Sequence, residues 1–135
     1  MREKILVVFL KICGIILMVA LIPAVMPFFW MQEIHRWLGM GELPGEPIVG
    51  YLTRSLSLMY VAHGALIYFV SLDVRRFLPV VRFLGILCIV FGSSMIGLDA
   101  AVGMPAYWIV CEGPLIVPLG IVILSLAKGV PGTKE

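Results

Sequence analysis

Charge is what this sequence has least of. Of its 135 residues, 13% are charged and 61% hydrophobic, and the mean hydropathy is +1.10. A soluble domain carries about 25% charged residues. The chain holds more apolar side chain than a globule of this size buries, and too little charge to coat one. That excludes a soluble enzyme, a disordered chain and a nucleic-acid-binding domain. Cysteine is also scarce: Cys13, Cys88 and Cys111 are scattered, with no C-x-x-C pair. Neither a disulfide framework nor a thiol oxidase fits, since both need paired thiols. The two histidines, His35 and His63, are far apart. No cluster of His, Cys and carboxylates has metal-ligand spacing, so neither metal nor cofactor is expected. Glycine-rich phosphate loops, hydrolase elbows, internal repeats and low-complexity segments are missing too.

What is present is length without charge. A membrane helix needs about 20 mostly apolar residues, and four stretches qualify, at about 5–29, 48–72, 79–98 and 105–127. The first begins with basic residues, as a secretory leader does. Its apolar run is much longer than the 7–15 residues typical of a leader, so a retained helix is expected. The expected fold is all-α. It is an integral membrane four-helix bundle, antiparallel and up-down, forming a single transmembrane domain over 1–135.

The flanking cations orient it. Four crossings put both termini and the middle loop on one side. That side holds Arg2, Lys4, Lys11, Arg75, Arg76, Arg82, Lys128 and Lys134; the other holds only Arg36 and Arg54. The positive-inside rule then makes both termini cytoplasmic. The lipid bilayer is the expected solvent, and a bacterial inner membrane the expected location. Arg75, Arg76 and Arg82 form an inner basic patch that sets topology and touches anionic lipid; docking of a cytoplasmic partner is the other reading.

Only the first outer loop, about 30–47, is long. Met31, Ile34, Trp37 and Leu38 recur at helical spacing, which reads as a short interfacial helix. Gly39, Gly41, Pro44, Gly45 and Pro47 follow as breakers. Trp30, Trp37, Tyr51, Tyr107 and Trp108 fall at the outer boundary as an aromatic belt. The inner connection 73–79 and an outer turn over 99–104 are short, making successive helices antiparallel neighbours. Gly85, Gly92, Gly97, Gly113 and Gly120 offer close helix approach, for packing within the bundle or at a dimer interface. Pro114 and Pro118 remove backbone donors from the fourth stretch, where a kink is expected.

Ionisable residues within apolar stretches are the best pointers to function, because lipid makes them costly. Arg54 lies about 9 Å inside the outer boundary and Glu112 about 10 Å, at 1.5 Å per residue. Opposite charges thus share a depth on two helices, with Asp99 slightly shallower. The candidate centre is Arg54, Glu112 and Asp99. It reads either as a lock between helices or as a site for a ligand, ion or substrate. In a site, Arg54 would take an anionic or carbonyl group and Glu112 a proton or cation. His63, nine residues after Arg54, points to the opposite face. With Tyr60 it forms a secondary candidate, read first as a hydrogen-bonded pair between helices. Lys11 can snorkel to the headgroups. Ser93 and Ser94 are expected to bond back to their own helix.

The layout resembles the DoxX-like group of small bacterial four-helix membrane proteins. The matching features are the long first helix, Tyr51-Leu52-Thr53-Arg54 opening the second, the tight Arg75-Arg76 turn and the Asp99…Gly103-x-Pro105 turn. The resemblance implies a fold; it brings no catalytic residue. Two function classes stand. One is a non-enzymatic membrane protein, either an accessory subunit working with a membrane-protein partner or second copy, or a binder of a small lipophilic ligand. The other is a small transporter or membrane enzyme using Arg54, Glu112 and Asp99.

Overall fold

A computed structural model describes residues 1–131. Lys134, counted above among the inner cations, lies outside the described residues. The protein is all-α and 79% helical, with no strand among the described residues. The helices are α1 (Arg2–Met18), α2 (Leu21–Val25), α3 (Phe28–Trp37), α4 (Pro47–Ser71), α5 (Leu78–Val102), α6 (Ala106–Cys111) and α7 (Gly113–Ala127).

Three stretches are long and apolar enough to cross a membrane: Arg2–Val25, Leu78–Val102 and Ala106–Ala127. At most 22% of any of their apolar windows is buried. Ile12, Ile16, Phe83, Leu98 and Leu115 are all exposed. In water such surface would drive aggregation; in hydrocarbon it is already solvated. The 25 residues of α4 give about 37 Å of helix, also long enough. Arg54, His63, Thr53, Ser55 and Ser57 leave it less apolar than the other three. Two of its hydroxyls turn inward: Thr53 donates to the Val49 carbonyl (2.9 Å) and Ser57 to the Thr53 carbonyl (2.8 Å).

The stretch at 5–29 is not one helix. Pro23 has no N–H to give the Val19 carbonyl, and its ring crowds that oxygen. The ladder tightens there, with Ala20 bonding to Leu17 and Ile22 to Val19. A residue before proline is pushed out of the helical region; Met26, before Pro27, is extended at ψ 151°. α3 restarts at Phe28, so Phe28 and Phe29 belong to the short helix of the loop rather than to the first long one.

The stretch at 105–127 is also divided, at Glu112 (φ −88°, ψ −80°). The break precedes Pro114, which sits in the first turn of α7, where its missing donor costs nothing. Pro118 stays inside α7. At the other boundary α5 runs on to Val102 and ends at Gly103, which takes the left-handed φ of 75°. Asp99 therefore lies inside the last turn of α5 rather than in the outer turn.

The chain divides into two compact units: Met1–Phe9 with Val70–Glu135, and Leu10–Phe69. In the first, α5 packs on α7 through glycines. A Cβ at Gly120 would stand 2.5 Å from the Gly85 carbonyl, and one at Gly113 2.5 Å from the Gly92 carbonyl. The register falls on one helix as it rises on the other, so the two are antiparallel. Gly97 meets nothing within 4 Å. In the second unit α1 meets α4 in the same way: a Cβ at Gly14 would stand 2.8 Å from the Gly64 carbonyl, and one at Gly64 2.7 Å from that of Gly14.

Candidate functional site

Asp99 is 3% exposed, and its Oδ2 has no hydrogen-bond partner. It stands in the last turn of α5, where outward carbonyls already make the potential negative. Oδ2 is buried without a donor among the described residues. A buried acceptor in that state calls for a donor from elsewhere.

Glu112 occupies the junction of α6 and α7. Its N–H donates to the Trp108 carbonyl (2.9 Å) and closes the α6 ladder. Beyond it, the Ile109, Val110 and Cys111 carbonyls have no helical donor, because the backbone turns away at Glu112 and Pro114 has no N–H. The Glu112 carbonyl accepts from Leu115 (3.2 Å) and Ile116 (3.3 Å), which starts α7. Its carboxylate sits at the positive end of that helix. One oxygen, Oε2, accepts the Trp108 indole N–H at 2.5 Å. Trp108, Cys111 and Glu112 line a shallow open recess of about 300 Å³.

In the other unit, Arg54 is half-buried on α4. Its Nη2–H donates to the Met26 carbonyl at 3.2 Å. That carbonyl is the one freed by the break before Pro27. Gly50, one turn earlier, leaves room: a Cβ there would stand 3.4 Å from Arg54 Nη1 and 3.8 Å from the Phe28 ring. Arg54 thus satisfies an orphan backbone acceptor with a charge-assisted bond, a role hydropathy and spacing do not reveal. The signal in the sequence was Met26-Pro27, since proline after an apolar run marks a freed carbonyl.

Tyr60 and His63 lie three residues apart on α4, both half-buried. Ser94 bonds back to the Val90 carbonyl (2.9 Å). Among the described residues no three His, Cys, Asp or Glu side chains are grouped to hold a metal. No known protein-family model matches this chain, and no curated protein or solved structure does either.

Proposed function

We propose that the protein is a four-crossing inner-membrane protein with both termini cytoplasmic, working as a non-enzymatic binder of a small lipophilic ligand or as an accessory subunit. In this reading α4 is the fourth crossing, α3 lies in the outer interface, and the layout is that of the DoxX-like group. The candidates for an outer-leaflet polar centre are Arg54, Glu112 and Asp99. The observation that carries the reading is the buried, unpartnered Oδ2 of Asp99. A ligand with one hydrogen-bond donor on an apolar body would complete it, and so would a donor from a partner subunit. Arg54, holding one carbonyl already, is suited by its planar fork to an oxyanion or carbonyl.

The second reading is a small transporter or membrane enzyme. The interruption at Glu112 favours it, because broken helices with freed carbonyls are how transporters build sites within the bilayer. Tyr60 and His63 are secondary candidates in either reading.

Replacing Glu112 by Gln and Asp99 by Asn separates the roles. Both changes keep the shape and remove the charge. Full accumulation with a lost cellular phenotype supports a functional centre. Failure of either variant to accumulate supports a lock between helices. Full accumulation with an unchanged phenotype removes the centre.

A further inference from the structure

The end of the first unit from which α5 departs and to which α7 returns is densely basic. Arg2, Lys4, Arg75, Arg76, Arg82 and Lys128 are all exposed, and the nearby carboxylates are Glu3 and Asp73. Contacts tie Arg2, Glu3, Arg75 and Gly129 together at this end, with Lys4, Arg76 and Lys128 adjoining them in sequence and Arg82 near the start of α5. Arg75 donates from Nε and Nη2 to the two Glu3 oxygens (2.8 and 2.9 Å), a bidentate fork across 72 positions of sequence. Glu3 in turn holds the Arg75 guanidinium above its usual pKa. The Arg2 side chain lies over Gly129, whose Cβ would stand 2.7 Å from Arg2 Cδ. The Asp73 carboxylate is turned to the backbone, accepting the Arg76 N–H (3.2 Å). Arg2, Lys4, Arg76, Arg82 and Lys128 have no ion pair among the described residues.

The face also lies at the right depth. The candidate span Arg2–Val25 starts at it, Leu78–Val102 starts at it, and Ala106–Ala127 ends at it. Cations ringing the ends of apolar helices sit at headgroup level. The one neutralising contact, Glu3 to Arg75, ties the start of α1 to the turn before α5, so the remaining cations stand on a braced frame.

We propose that this face binds the headgroups of anionic phospholipids, through the phosphate of a phosphatidylglycerol-type lipid held by Arg76 and Arg82 and flanked by Lys4 and Lys128. The inference stands apart from the outer polar centre. It uses different residues at the opposite end of α5 and needs only that the three spans lie in a membrane.

The full chain in non-ionic detergent, titrated with phosphatidylglycerol or phosphatidylcholine and read by native mass spectrometry, tests it. Phosphatidylglycerol should be retained about 25-fold more tightly, since each of the two holding cations, Arg76 and Arg82, contributes about fivefold. The preference should shrink when salt rises from about 50 mM to about 500 mM, because screening shortens the reach of charge. The double variant Arg76→Gln with Arg82→Gln should lower it by about 25-fold. The pair Arg76→Lys with Arg82→Lys should keep most of it. Should the glutamine variant fail to fold, Lys4→Gln with Lys128→Gln supplies the same reading. Equal retention of the two lipids would overturn the proposal. So would a preference that survives charge removal, or displacement of the lipid by inorganic phosphate alone.

Discussion

Arg54 donates to the Met26 carbonyl at 3.2 Å across 28 positions of sequence. The bond joins α4 to the carbonyl that the extended backbone at Met26, forced by Pro27, turns out of the helix. In water such a carbonyl would be solvated at little cost; in lipid each unsatisfied group costs several kcal/mol. Arg54 therefore stabilises the path of the chain between α2 and α3, whatever ligand it also serves.

We expect Arg54→Ala to lower stability by about 1.5–3 kcal/mol, the range for hydrogen bonds to charged groups. Thermal unfolding of the detergent-solubilised chain measures it. Arg54→Lys should fall between, because an ammonium can reach the carbonyl but lacks the planar fork.

The same bond should couple to its cause. Pro27→Ala returns an N–H to position 27 and relaxes the extended bias on Met26. The loss on Arg54→Ala should then be smaller in the Pro27→Ala background. Equal losses in both backgrounds in a double-mutant cycle would show that the proline does not create the need.

Glycine substitutions on α5 and α7 should split by position. Gly120→Ala drives a Cβ to 2.5 Å from the Gly85 carbonyl, and overpacking of this kind costs about 1–3 kcal/mol. Gly97→Ala meets nothing within 4 Å. It should stabilise α5 by about 0.4–1 kcal/mol by restricting the unfolded chain. Melting temperatures of the two variants should move in opposite directions.

Asp99→Asn replaces a buried carboxylate whose Oδ2 has no partner with a neutral amide of the same shape. Its melting temperature should equal or exceed that of the parent protein, since no ion pair is lost and a desolvation cost is relieved. A fall of several degrees would mean that Asp99 bonds to a donor that holds the fold together.

Much of the helix map was readable from hydropathy. The stretch at 48–72 matches α4 within a residue at each end, and Gly85 and Gly92 of the third stretch meet Gly120 and Gly113 of the fourth between α5 and α7, while Gly97 makes no such contact. Hydropathy is blind to backbone donors, however. It ran one helix through Pro23 and Pro27, where apolar side chains continue but the ladder does not. It placed the kink of the fourth stretch at the prolines, whereas the turn falls at Glu112, because Pro114 fits the start of a new helix. It also stopped the third helix at Leu98, since Asp99 looks like the edge of a loop. α5 extends to Val102 and carries Asp99 into burial. The close pair Gly14 and Gly64 was missed because a single small residue in a long apolar run gives no periodic signal. Of the candidate site, residue types were legible and partners were not: Trp108 for Glu112 and the Met26 carbonyl for Arg54 depend on where the helices break.

The central claim is that lipid solvates this chain along four crossings, α4 included. Reporter fusions measure it most directly. A fluorescent protein that folds only in the cytoplasm goes at each terminus in turn, and a phosphatase active only outside goes into the loop at Gly41. The account predicts fluorescence from both termini and phosphatase activity from the loop. Termini on opposite sides of the membrane would mean an odd number of crossings and would contradict it.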